Sequence, residues 1–94
     1  MLHNILVKWT DQVTDKPAIA RLVAQTFEGS AEIPGVHGVA VRPNIIDRPN
    51  RYDLLIQLDM DEKALTTWDE SDIHKRWKAN FGGLVEKKAI FDCE

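Results

Sequence analysis

YDLLIQLDM, residues 52–60, decides the fold. Tyr52, Leu54, Ile56, Leu58 and Met60 fall on one side of an extended chain, and Asp53, Leu55, Gln57 and Asp59 on the other, which is the period of a strand. Leu2 to Trp9 repeats the pattern, with His3, Ile5, Val7 and Trp9 alternating against Leu2, Asn4, Leu6 and Lys8. In that second strand both faces carry apolar side chains.

Between the two strands, Thr14 or Asp15 supplies an N-cap and Pro17 sits in the first helical turn. Ile19, Leu22, Val23, Thr26 and Phe27 then recur at helical spacing until Gly29 stops the helix. Ile33-Pro34-Gly35-Val36 reads as a type II turn, because proline presets its second position and glycine alone enters positive φ cheaply at the third. It predicts a strand over about Val36 to Val41, ended by Pro43, and then a surface loop over Asn44–Arg51. Beyond Met60, Asp61 caps a short helix with Ala64, Leu65 and Trp68 inward. Ser71 caps a second helical segment in which His74, Trp77 and Phe81 share a face with Ile73 beside them, ending at Gly82-Gly83. Leu84 to Cys93 is read as the last strand.

The order strand, helix, strand, strand, broken helix, strand predicts an α+β, ferredoxin-like β-α-β-β-α-β fold with a four-stranded antiparallel sheet. Right-handed crossovers put both helical layers on one face. Leu2, Leu6 and Leu55 then lie on the other face, with nothing to cover them. A 94-residue chain buries only about two-thirds of its unfolded surface, so its core is marginal alone. The expected remedy is a second copy packed sheet to sheet, a homodimer.

Composition narrows the function classes. A net charge of −3 argues against a nucleic-acid partner, and no apolar run approaches the ~20 residues that span a bilayer. The single cysteine, Cys93, has no disulfide partner within the chain. The start MLHNILVKW lacks the pattern of a signal peptide, which makes a cytoplasmic location the expectation. His3, His37 and His74 lie on different elements without metal-ligand spacing, so neither a metal nor a cofactor is expected. The charges of Lys75, Arg76, Lys78, Lys87 and Lys88 are interleaved with acids and read as a solvated face. In the loop, Arg48 and Arg51 are placed to receive a carboxylate, although a plain connection is the simpler reading.

LHNILVKW, IPGV, NRYDLLIQLDM, SDIHKRWK and KKAIFDCE together resemble the stress-responsive A/B barrel domain, or Dabb, family along essentially the whole chain. The resemblance implies one domain over residues 1–94, and a dimeric α/β barrel in which two ferredoxin-like sheets share a barrel. Most members of that family have no assigned reaction, and a few plant relatives act in polyketide cyclisation through a pocket between sheet and helices. His74 matches the last histidine of the family's helix-start motif, with Ser71 and Asp72 where the first histidine and the proline would stand. His3 matches at the start of the first strand, and Tyr52 and Asp53 match a Tyr-Asp pair opening the third. Trp68 and Leu54 occupy positions where the cyclase relatives carry a tyrosine and a histidine, so the same aldol-type cyclisation is not expected.

A ligand pocket between sheet and helices is expected around His3 and His74, with Ile5, Val7, Leu54 and Ile56 from the strands. Phe27, Trp68 and Trp77 would line it from the helices, and Tyr52 would lend a hydroxyl, while Asp53 would face the barrel side. Three readings follow: a homodimer binding an apolar or aromatic small molecule, a small cyclase, isomerase or lyase acting on a carbonyl-bearing substrate with His74 as base, and a purely structural stress-related dimer.

Overall fold

The computed structural model describes residues 1–94. Strands β1 (Leu2–Trp9), β2 (Val36–Pro43), β3 (Leu54–Met60) and β4 (Val85–Cys93) form one antiparallel sheet in the order β2-β3-β1-β4. Helix α1 (Lys16–Phe27) joins β1 to β2, and α2 (Leu65–Asp69) with α3 (Asp72–Phe81) joins β3 to β4. This is the ferredoxin-like α+β fold that the strand and helix periods predict.

Register divides the sheet into two faces. Ile5 lies opposite Ile56 and Ile90, and Val7 opposite Leu54, on the face that the helices cover. Val23 and Phe27 of α1, Trp68 of α2 and Trp77 of α3 close over them. Phe27 packs against Trp68 and Trp77 with ring centroids 5.6 and 5.8 Å apart, and Trp9 meets Trp77 at 6.2 Å. Burial of each such ring contributes roughly 1.5–3 kcal/mol. On the opposite face Leu6 lies between Leu55 and Ala89, and Asn4 between Gln57 and Phe91. No helix covers that face, and Phe91 is 63% exposed. The chain exposes 5965 Å². A compact monomer of this size would expose roughly 5,500 Å².

The local signals act as read. Asp15 accepts from the Ala18 N–H at 3.0 Å at the start of α1. Ser71 Oγ accepts from the His74 N–H at 3.2 Å and donates to the Trp68 carbonyl at 2.7 Å, which fixes the corner between α2 and α3. Gly35 holds φ +85° in the turn before β2, where the Val36 N–H reaches the Ile33 carbonyl at 3.0 Å. A Cβ there would stand 2.6 Å from Ala64 Cβ.

Several details differ from expectation. Leu22 is 53% exposed, because the apolar arc of α1 is wider than the surface it packs on. Strand β2 ends at Pro43, as read, but a single turn over Gly82–Leu84 delays β4 to Val85. The β3 ladder begins at Leu54, so the alternation does not extend back through residues 52 and 53. Asp53 is drawn to the start of α1 by two donors, the Trp9 N–H at 2.8 Å and Lys16 Nζ at 2.9 Å, rather than to the barrel side. Tyr52 sits instead beside Leu6 and Leu55 of the uncovered face, with Lys87 Nζ 5.5 Å from its ring centroid.

Candidate functional site

A groove of about 480 Å³ opens between the β1–β4 side of the sheet and the helices α2 and α3. Its position follows from the helical layer: the part of α3 that packs inward covers β1, while β4, the edge strand, keeps Ile90 49% exposed on the helix-covered side. His3, Ile5, His74 and Trp77, four of the expected pocket residues, line it together.

His74 is the third residue of α3, placed by the Ser71 cap. Its Nδ1 lies 2.9 Å from the Asp69 carbonyl oxygen. A carbonyl only accepts, so Nδ1 carries the hydrogen and the neutral ring has its basic lone pair on Nε2. Burial holds the His74 imidazole below its ordinary value. Nearby Lys78 and Lys88 push the same way, against the upward pull of the Asp69 carbonyl and carboxylate. The ring stands edge-on to Trp68, with centroids 5.4 Å apart. Neutral imidazole is therefore the resting form at neutral pH.

His3 is 6% exposed, and its Nδ1 lies 2.5 Å from Asp92 Oδ1 on β4, the residue opposite it in the ladder. The carboxylate fixes the ring as a carbonyl does for His74, leaving Nε2 as the second ring nitrogen. Lys78 from α3 and Lys88 from β4 stand on the walls, and neither has a carboxylate within 4.0 Å. Leu65 and Ile90 supply the apolar surface, and Trp77 and Ile5, both buried, lie at its floor. The groove thus brings two oriented imidazoles, the ammonium groups of Lys78 and Lys88 and the carboxylates of Asp69 and Asp92 into one space.

The other expected pocket residues are elsewhere. Val7, Phe27, Leu54, Ile56 and Trp68 pack against one another in the core and do not line this groove. Side chains this large, interdigitated from sheet and helices, fill the space where an internal cavity was expected. Tyr52 is removed from the groove by its turn onto the uncovered face. Sequence reading missed Asp92, Lys78 and Lys88. Asp92 and Lys88 reach the groove through the β1–β4 register, for which the mixed composition of Leu84 to Cys93 gives little signal, whereas Lys78 follows His74 by four residues on α3, a spacing the sequence does carry. Trp68 Nε1, buried without an acceptor, has no role that the geometry assigns.

The loop between β2 and β3 carries a second, more polar depression with Arg48, Arg51, Lys8 and Lys16. Lys16 is committed to Asp53, and Arg51 donates to Asn50 Oδ1 at 2.6 Å. No group of three or more histidine, cysteine or acidic side chains is arranged to hold a metal ion, and no helix is long and apolar enough to cross a membrane.

No family model and no curated protein sequence matches the chain. Solved structures do. A dimeric protein of unknown function with a ferredoxin-like fold from Bacteroides fragilis superposes with a TM-score of 0.81 at 15% identity, covering 99% of this chain and 93% of its own. A dimeric ferredoxin-like protein of unknown function from Thermobifida fusca gives 0.80 at 21% identity over 96% and 85%. A Dabb family protein with a ferredoxin-like fold from Mesorhizobium loti gives 0.72 at 16% identity over 99% and 93%. At these identities the likeness establishes the fold.

Proposed function

We propose that residues 1–94 form a single Dabb-type A/B barrel domain, paired with a second copy through the uncovered sheet face, which binds a small apolar or aromatic molecule in the groove of His3 and His74. The observation that carries the reading is the pair of imidazoles, each fixed at Nδ1 by an oxygen, lining one groove with Trp77 and Ile90. Its volume of about 480 Å³ lies within the 300–1,000 Å³ range usual for ligand sites. Pairing through the sheet is supported by the exposed Phe91 beside Leu6 and Leu55, and two of the similar structures are described as dimeric. Titration with neutral aromatic fragments, benzamide among them, should move the NMR resonances of His74, Trp77 and Ile90. If no fragment moves them up to its solubility limit, the groove is not a ligand site.

One observation favours a second reading, a small cyclase, isomerase or lyase acting on a carbonyl-bearing, polyketide-like substrate. His74 is held neutral with its lone pair on Nε2, the state a general base requires. Against a substrate that turns over, His74→Ala would abolish turnover and leave binding intact, whereas unchanged turnover would exclude His74 as the essential base.

A further inference from the structure

We propose that a second pocket, on the sheet face away from the His3–His74 groove, binds a small hydrophobic carboxylate, its head on Arg42 and Arg51 and its body against Leu6, Leu55 and Tyr52. The proposal does not rest on the ligand groove. The pocket, of about 420 Å³, occupies the end of the uncovered face where β2 runs into the loop, away from Ala89 and Phe91 on β4. Arg42 stands opposite Leu55 near the end of the β2–β3 ladder, and Arg51 comes from the loop just before β3. Asn44 clips that loop shut. Its backbone N–H donates to the Asp53 carbonyl at 2.9 Å, and its Nδ2 donates to the Tyr52 carbonyl at 2.8 Å. Arg51 and Tyr52 are thus held in place before a ligand arrives.

No acidic residue lines this pocket. Asp53, next to Tyr52 in the chain, lies outside it and is held by the Trp9 N–H and Lys16, while Asp47 lines the loop's other depression with Arg48. Neither Arg42 nor Arg51 has a carboxylate within 4.0 Å. Arg51 gives one guanidinium N–H to Asn50 Oδ1 at 2.6 Å, a neutral acceptor that orients the group and leaves its charge unmet. Lys87 Nζ, 5.5 Å from the Tyr52 ring centroid, adds a third cation beside the pocket. Guanidinium forks match the two oxygens of a carboxylate, in charge-assisted hydrogen bonds that a neutral ligand of the same shape cannot make. Leu6, Leu55 and Tyr52 are each only partly buried, so the apolar body of a ligand takes surface there out of water.

Benzoate and its neutral isostere benzamide separate charge from shape. Each is titrated into the protein and followed at the Leu6 and Leu55 methyl and Tyr52 ring resonances, at low and high salt. Benzoate is expected to bind there about tenfold more tightly than benzamide, because charge-assisted hydrogen bonds exceed neutral ones by roughly that margin at a partly exposed site. Added salt should erode only the benzoate affinity. The double variant Arg42→Gln, Arg51→Gln should bring the two ligands level, with the fold checked by circular dichroism. Equal affinity for the two compounds at these resonances in the unaltered protein, or no shift with either, would overturn the proposal: water or the second copy would then satisfy the arginines. Benzoate shifts confined to His74, Trp77 and Ile90 would overturn it too, and would leave the groove as the ligand site.

Discussion

His3 and Asp92 stand 89 positions apart in sequence and meet across the β1–β4 ladder, Nδ1 to Oδ1 at 2.5 Å. The contact ties the first strand to the last and fixes the tautomer of a buried imidazole. Replacing Asp92 by alanine leaves His3 Nδ1 without its acceptor in a nearly closed position. Asp92 itself is partly exposed, so water recovers some of the loss. Asp92→Ala is expected to lower stability by about 1 kcal/mol, seen as a lower urea midpoint at unchanged slope. An unchanged midpoint would mean that the pair is not formed in solution.

Asp53 holds two donors of unequal worth. Lys16 is half exposed, so the ion pair is screened, and Lys16→Ala should cost less than about 1 kcal/mol. The Trp9 N–H is different: its only acceptor is Asp53, and Asp53→Ala strands it beside a buried ring at a cost of about 1–3 kcal/mol. The pH response has a definite sign. Burial alone would raise the Asp53 carboxyl, but the Trp9 and Lys16 hydrogen bonds outweigh it and hold the group below its ordinary value. Its contribution is therefore complete above the unfolded carboxyl value of about 3.9 and is lost as pH falls through the native one. Urea melts at neutral and acid pH on both variants measure the two parts.

Residues 52 and 53 mark where the sequence stops being readable. The alternation in YDLLIQLDM is correct from Leu54 onward because the ladder there enforces the pleat, and it fails at Tyr52 and Asp53 because a carboxylate with two nearby donors outweighs the pattern. The same distinction runs through the site. His3 and His74 were placed from local period and capping, which are properties of short segments. Asp92 and Lys88 reached the groove through strand pairing at long range. The expected internal pocket failed for another reason. Alternation tells which side chains face inward and nothing about whether they leave space, and Trp68, Phe27 and Trp77 leave none.

Gly35 serves a close approach as well as a turn. Gly35→Ala forces a side chain into φ +85° and sets its Cβ 2.6 Å from Ala64 Cβ, at a combined cost of about 2–4 kcal/mol. In the double variant Gly35→Ala, Ala64→Gly the steric part disappears and the backbone part remains. Partial recovery of the thermal midpoint is the expected result, and no recovery would place the whole effect in the backbone.

His74 gives a prediction opposite in sign to an ordinary surface histidine. Burial and the neighbouring lysines hold it below its unfolded value, so the native state binds fewer protons there than the unfolded chain does. The stability it contributes is complete above about pH 6.5 and is lost as pH falls through the lowered native value. His74→Asn keeps a donor for the Asp69 carbonyl and removes the titration. The unaltered protein should therefore lose more stability than the variant between pH 8 and pH 5. His37, raised by its bond to Asp61, titrates in the other direction and cancels in the comparison. Equal losses in the two proteins would show that His74 is solvated.

Leu6 tests the pairing of two sheets. It lies at the centre of the uncovered face, between Leu55 and Ala89, with Phe91 two residues along β4 from their row. If a second copy seals this face, the protein sediments as a dimer at micromolar concentration and its thermal midpoint rises with concentration, because dissociation accompanies unfolding. Leu6→Glu places a charge in the middle of that contact, where neither strand neighbour offers it a partner. The variant should sediment as a monomer, with a lower midpoint that no longer depends on concentration. The groove of His3 and His74 is on the opposite face of the sheet, so ligand-induced shifts at His74 and Ile90 should survive in the monomer if each protomer carries a complete site. A concentration-independent, monomeric unaltered protein would instead mean that Leu6, Leu55 and Phe91 face water, and the sheet-to-sheet dimer would have to be abandoned.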